Sequence, residues 1–164
     1  MQKILVSACL FGAPVRYDAR PVPVPHPLWQ QWRGEGRLVS LCPEMAGGLP
    51  APRAPAEILG AGGGDAVWRG LARVVDKDGN DYTRPFLTGA EQALQLARQH
   101  DCRVAVLKAG SPSCGHDLIY DGRFSGDKTA GDGVTAALLR ANGIRVFDEH
   151  QLEQVAAWLA SVDS

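Results

Sequence analysis

Three short apolar runs in this chain each lead to a cysteine, and that repeated arrangement constrains the fold more than any other feature. Ile4-Leu5-Val6-Ser7-Ala8 runs into Cys9, and Leu38-Val39-Ser40-Leu41 runs into Cys42. Val104-Ala105-Val106-Leu107-Lys108 stops in the small, turn-forming segment Ala109-Gly110-Ser111-Pro112-Ser113-Cys114-Gly115. Near-continuous apolar runs of this length are the pattern of strands covered by helices on both faces, as in a parallel sheet. Each strand therefore delivers a thiol to a loop.

The intervening segments alternate with helical patterns. A helix is predicted around Leu28–Glu35, with Trp29 and Trp32 on one face and Gly36 ending it. Another starts between Thr83 and Thr88 and runs to about His100, with Phe86, Ala90, Leu94 and Ala97 at helical spacing; Thr88-x-x-Glu91 is a capping box if the start is late. A helix over 133–142 ends at Asn142-Gly143, a strand covers 144–147, and a last helix from Glu149 to Ser161 turns Leu152, Val155, Ala156 and Leu159 inward. The Pro- and Gly-rich segments 43–55 and 109–132 read as functional loops, the second a wall over a site with a short extended piece at Leu118–Tyr120. Gly60–Gly64 reads as a linker to a hairpin of Leu71–Val75 and Asp81–Tyr82, turned at Asp78-Gly79. The expectation is an α/β fold, a Rossmann-like, mostly parallel sheet with helices on both faces, in a single domain over 1–164 with one β-hairpin insertion. Ligands bind such sheets at the carboxyl ends of the strands, where the strand order reverses. Cys9, Cys42 and Cys114 meet there.

The net charge of −1 and the lack of a long basic run argue against a grip on nucleic acid and point to a small-molecule partner. No apolar stretch is long enough to span a membrane. Val6-Ser7-Ala8-Cys9 resembles a lipoprotein cleavage site, but too few residues precede it for a leader. A cytoplasmic protein is therefore expected, in which four cysteines are not a disulfide framework. No C-x-x-C pair occurs, which removes the usual zinc-finger and thioredoxin spacings.

Three thiolates suit a soft metal. A structural zinc ion wants a fourth ligand, for which His26 and His116 are candidates. A four-iron, four-sulfur cluster normally takes four cysteines, so three leave one iron open as a Lewis acid. Cys102 stands outside these motifs and reads as a small buried hydrophobe. Glu44, two residues after Cys42, is a candidate general base or a loop carboxylate, with Asp18 as the second choice for base. Ser111 and Ser113 are hydrogen-bond donors to substrate or ordinary turn residues. Arg16 and Tyr17 offer a cation and a stacking ring, although Arg16 and Asp18 equally make a loop-fixing ion pair. Arg53 holds an anion or pins its proline-rich loop, and Tyr120, Asp121 and Phe124 wall a planar ligand.

The strings Ser7-Ala8-Cys9-Leu10, Val15-Arg16-Tyr17-Asp18, Cys42-Pro43-Glu44, Gly47-Gly48-Leu49-Pro50, Pro52-Arg53, Gly89-Ala90, Leu107-Lys108, Ser111-Pro112-Ser113-Cys114-Gly115 and Tyr120-Asp121-Gly122 resemble the thiouracil desulfurase family, from Ser7 to about Val146. The resemblance is to a short form without the further domain of longer relatives. It implies an oxygen-sensitive four-iron cluster held by Cys9, Cys42 and Cys114 with one open iron, and removal of sulfur from thiolated uracil without net redox change, giving uracil and hydrogen sulfide. Rival readings are a cluster-dependent sulfur transferase acting on nucleotides, a non-catalytic metal-binding sensor, and a hydrolase with Cys114 as nucleophile. The first lacks a phosphate-binding loop for an activating nucleotide. The choice among free base, nucleoside and nucleotide, of ring position, and of monomer or homodimer stays open.

Overall fold

The computed structural model describes residues 1–11, 17–18 and 24–163. Strands β1 (Ile4–Ser7), β2 (Leu38–Leu41), β5 (Val104–Leu107) and β8 (Arg145–Asp148) form the main sheet in the order β2-β1-β5-β8, all parallel. Ile4 lies opposite both Leu38 and Val104, and Val104 opposite Arg145. The chain leaves β1 for β2 on one side, then crosses back to lay β5 on the other. The order thus reverses at β1, with Cys9, Cys42 and Cys114 all beyond the carboxyl ends of their strands.

Side-chain alternation splits the core across the sheet. Ile4, Val6, Val104 and Val106 pack against Trp29 and Trp32 of α1 (Pro27–Gly34) and Leu152, Val155 and Leu159 of α6 (Leu152–Asp163). Leu5, Ala105 and Leu107 face the opposite way, onto Ala93 and Ala97 of α4 (Thr83–Gln99) and Ala136 and Leu139 of α5 (Val134–Ala141). All four residues of β1 are buried, as expected where helices cover both faces. Each large apolar side chain taken fully from water contributes about 1.5–3 kcal/mol.

The smaller elements depart from the sequence reading. Strand β4 (Arg73–Asp76) pairs antiparallel with β3 (Ala56–Leu59), and Asp81 meets Val75 only as an isolated bridge. The reason is Asp76, whose carboxylate accepts the backbone N–H groups of Asp78 and Asn80, the Asn80 amide and the Tyr82 hydroxyl. These bonds close the turn on itself, and the chain enters α4 instead of continuing a strand. Asp81 accepts the Thr83 N–H at 2.8 Å and Thr83 Oγ1 accepts the Val74 N–H at 2.9 Å, which start α4 early and leave Thr88 in its interior. Gly63 and Gly64, read as linker, open helix α3 (Gly63–Trp68). The extended piece at Leu118–Tyr120 is β6, paired with β7 (Lys128–Ala130).

Directly after Cys42 comes one helical turn, α2 (Pro43–Ala46), with proline at its first position, where no N–H is needed. Its seat is two glycines. A Cβ on Gly89 of α4 would lie 1.7 Å from the Pro43 carbonyl oxygen, and one on Gly47 would lie 1.9 Å from that of Pro85. Backbone therefore packs on backbone, which fixes Cys42 and Glu44 against the sheet. Gly89→Ala is expected to cost about 1–3 kcal/mol in urea unfolding through overpacking, whereas Gly34→Ala, with open space around its Cβ, stays within about 1 kcal/mol of the parent. Equal midpoints for the two variants would contradict this packing.

Candidate metal centre and substrate cavity

The thiols of Cys9, Cys42 and Cys114 line one cavity of about 680 Å³ at the carboxyl end of the sheet. Cys9 opens the site from a 3-10 turn, Ala8–Phe11, that follows β1 without a break. Cys42 precedes α2, where burial raises its thiol above the ordinary value and the backbone N–H of Met45 pulls the other way. Cys114 sits in a loop docked on the start of α5: Val134 N–H donates to Pro112 O at 2.8 Å and Thr135 N–H to Ser113 O at 2.8 Å. Burial pushes the Cys114 thiol far above its usual range, opposed by the Ser7 hydroxyl and reinforced by Cys42, Cys9 and Glu44. Ser7 Oγ in turn accepts the Lys108 N–H at 2.9 Å, which leaves its proton for the Cys114 sulfur.

A thiol so hard to ionise is a poor free nucleophile, whereas a bound metal holds it as thiolate. The spacing discriminates further. Among the described residues, the trio of metal-binding groups with all ligand atoms within 4.8 Å of one another is His116, Asp117 and Asp132, not the cysteines. One tetrahedral zinc ion brings its sulfurs to about 3.8 Å of each other. A cluster, whose cysteines bind different metal atoms, spreads them wider. Neither histidine candidate supplies a fourth ligand. His26 Nδ1 caps α1 by accepting the Leu28 N–H, and His116 is held by Gln151 at 2.7 Å and Asp148 at 3.2 Å, in a different hollow. The residues present fit a cluster on three thiolates better than one ion.

Glu44 reaches the same cavity from α2. Its Oε2 is held by Arg53, through Nε at 2.7 Å and through Nη2, while Oε1 faces the Ser111 hydroxyl at 3.4 Å. Arg53 Nη1 also donates to Pro50 O at 2.8 Å and its backbone N–H to Tyr17 O at 2.6 Å, so it ties the proline-rich loop to the carboxylate. Ser111 Oγ accepts the N–H groups of Ser113 and Cys114, which directs its single proton to Glu44. Glu44, Ser111, Arg53, Tyr17 and Tyr120 thus share the wall with the thiols.

Other expected residues lie elsewhere. Ser113 is fully buried and its hydroxyl pairs with that of Thr135 at 2.7 Å, so it fixes the loop and does not line the cavity. Asp18 and Asp121 do not line the cavity, although Phe124 does. Arg16 lies outside the described residues. Cys102 is buried in the core, its thiol pushed up to about 11 by burial, as fits a small hydrophobe. The sequence reading passed over Ser7 and Glu57. The signal for each is a polar residue inside a short apolar run, Leu5-Val6-Ser7-Ala8 and Ala56-Glu57-Ile58-Leu59.

Comparison with known proteins agrees with this arrangement. Residues 4–151 match the family model described as 2-thiouracil desulfurase. The chain is 42% identical over 155 residues to YbbK of Bacillus subtilis (strain 168), an uncharacterized protein, covering 93% of this chain and 99% of that one. It is also similar to a solved structure described as a [4Fe-4S]-dependent thiouracil desulfidase, TudS, with 47% identity, a TM-score of 0.89, and 99% of this chain and 100% of that one covered.

Ser113 and Ser111 separate by their expected effects. Ser113→Ala leaves Thr135 without its buried partner and is expected to cost about 1–3 kcal/mol of stability in denaturant unfolding, while Ser111→Ala changes stability less and alters the site. A Ser113→Ala protein as stable as the parent would contradict the buried pair.

Proposed function

The chain belongs to the 2-thiouracil desulfurase family, and we propose that it removes sulfur from thiolated uracil, 2- or 4-thiouracil as base, nucleoside or nucleotide, releasing uracil and hydrogen sulfide by hydrolysis. The observation that carries this reading is the convergence of three buried or half-buried thiols from three strand ends on one cavity. Cys9, Cys42 and Cys114 would hold a four-iron, four-sulfur cluster. When bound, such a cluster supplies a Lewis-acidic iron, free of a cysteine ligand, for the thiocarbonyl sulfur.

The chain's own residues handle water and protons. Arg53 fixes Oε2 of Glu44, which leaves Oε1 as the oxygen that takes a proton from the attacking water. Ser111, its own oxygen occupied by two backbone N–H groups, directs its hydroxyl proton to Oε1 and keeps that oxygen on the cavity side. Water adds its oxygen to the ring carbon, sulfur leaves as hydrogen sulfide, and no group changes oxidation state overall. Tyr17 and Tyr120, on the cavity wall, offer rings to a planar base.

Anaerobically reconstituted protein is expected to be brown and to convert 2- or 4-thiouracil, or their nucleotides, to the uracil product and sulfide in equal amounts. Glu44→Gln protein with the same iron content is expected to lose about 10²–10⁴ in kcat. A colourless protein with stoichiometric zinc, or one that consumes no thiolated pyrimidine, would overturn the reading.

A further inference from the structure

Glu57 is a buried carboxylate on β3 that the chemistry above does not use, yet it lines the same cavity. Its Oε1 accepts two backbone N–H groups, from Gly122 at 3.0 Å and Phe124 at 3.2 Å. Those bonds clasp the 121–126 loop to β3. The approach is close, since a Cβ on Gly122 would lie 2.5 Å from the Ile58 carbonyl oxygen. Phe124, which the loop brings to the cavity wall, has a φ of +56°, a left-handed conformation unfavourable for a non-glycine residue, which the clasp holds in place.

The second oxygen is different. Oε2 of Glu57 has no hydrogen-bond partner among the described residues. No fully buried side-chain oxygen or nitrogen is left unpaired there, so Oε2 is accessible, on a side chain that lines the cavity. A carboxylate oxygen only accepts hydrogen bonds and repels phosphate, so its complement is an N–H or O–H donor. A pyrimidine carries such donors on its ring, and a nucleoside adds sugar hydroxyls.

We propose that Glu57 is a substrate-binding residue, with Oε2 accepting a hydrogen bond from a ring N–H or sugar hydroxyl of the thiolated pyrimidine while Oε1 holds the loop that forms the cavity wall. The assignment rests on the proposed function and identifies a contact for that substrate. Because one oxygen does each task, the two separate by substitution. Glu57→Gln keeps a carbonyl oxygen for the loop but turns an amide N–H₂ toward the substrate donor. Glu57→Ala removes both.

Calorimetric titration of the reconstituted holoenzyme with uracil, uridine and 2′,3′-dideoxyuridine tests the contact, with trypsin cleavage after the exposed Arg123 reporting on the loop. Glu57→Gln is expected to weaken binding about ten- to a hundredfold with cleavage unchanged, and Glu57→Ala to weaken it similarly with faster cleavage. A loss already present with uracil assigns a ring N–H; a loss confined to uridine and absent with 2′,3′-dideoxyuridine assigns a sugar hydroxyl. Wild-type affinity for all three probes in Glu57→Gln, or no binding of any probe by the wild type, would overturn the proposal. Failure of the functional reading is distinct: the wild type would then release no sulfide from thiolated substrates.

Discussion

The parallel pairing of β1 with both β2 and β5 is the constraint on which the site depends. In a parallel pair the carboxyl ends point the same way, so loops far apart in sequence emerge side by side. Ile4 sits opposite Leu38 and Val104 at once, and this double register aligns the exits toward Cys9, Cys42 and Cys114. A one-residue slip in either pair would turn the alternating side chains of β1 to the wrong core and carry a thiol out of reach. The apolar cores above and below the sheet therefore stabilise the fold and set the spacing of the sulfurs.

Burial then makes the site chemically selective. The buried Cys42 and Cys114 thiols resist ionisation, and the Ser7 hydroxyl at Cys114 eases that only in part. A soft cation provides the missing compensation. The carboxylates sit in contrasting settings on the same wall: Glu44 is clamped by Arg53 and Ser111, and Glu57 is fixed on one oxygen by the 121–126 loop. On the proposed function, each keeps one defined oxygen for water or substrate.

The strands and helices of the main sheet were legible because their apolar periodicity is local and strong. Val104–Leu107 and the helical spacing from Phe86 to Ala97 required no knowledge of partners. The pairing of β4 with β3 was not legible, since the Asp76 side chain closes its turn through bonds that no periodicity encodes. Within the site, the cysteines and Glu44 stood out by motif. Ser111 and Ser113 flank one proline and could not be told apart, because only the docking of their loop on α5 sends Ser113 into the interior toward Thr135. Arg53, ambiguous between anion binding and loop pinning, ties its loop to Glu44.

On the proposed function, three cysteines, and no fourth, hold a four-iron centre. Mössbauer spectroscopy of isotopically enriched, anaerobically reconstituted protein tests it most directly. One iron is expected to be distinct from the other three, and its signal alone to shift when 4-thiouracil is added. Four indistinguishable irons that ignore the substrate, or iron retained in full by Cys9→Ala protein, would contradict it.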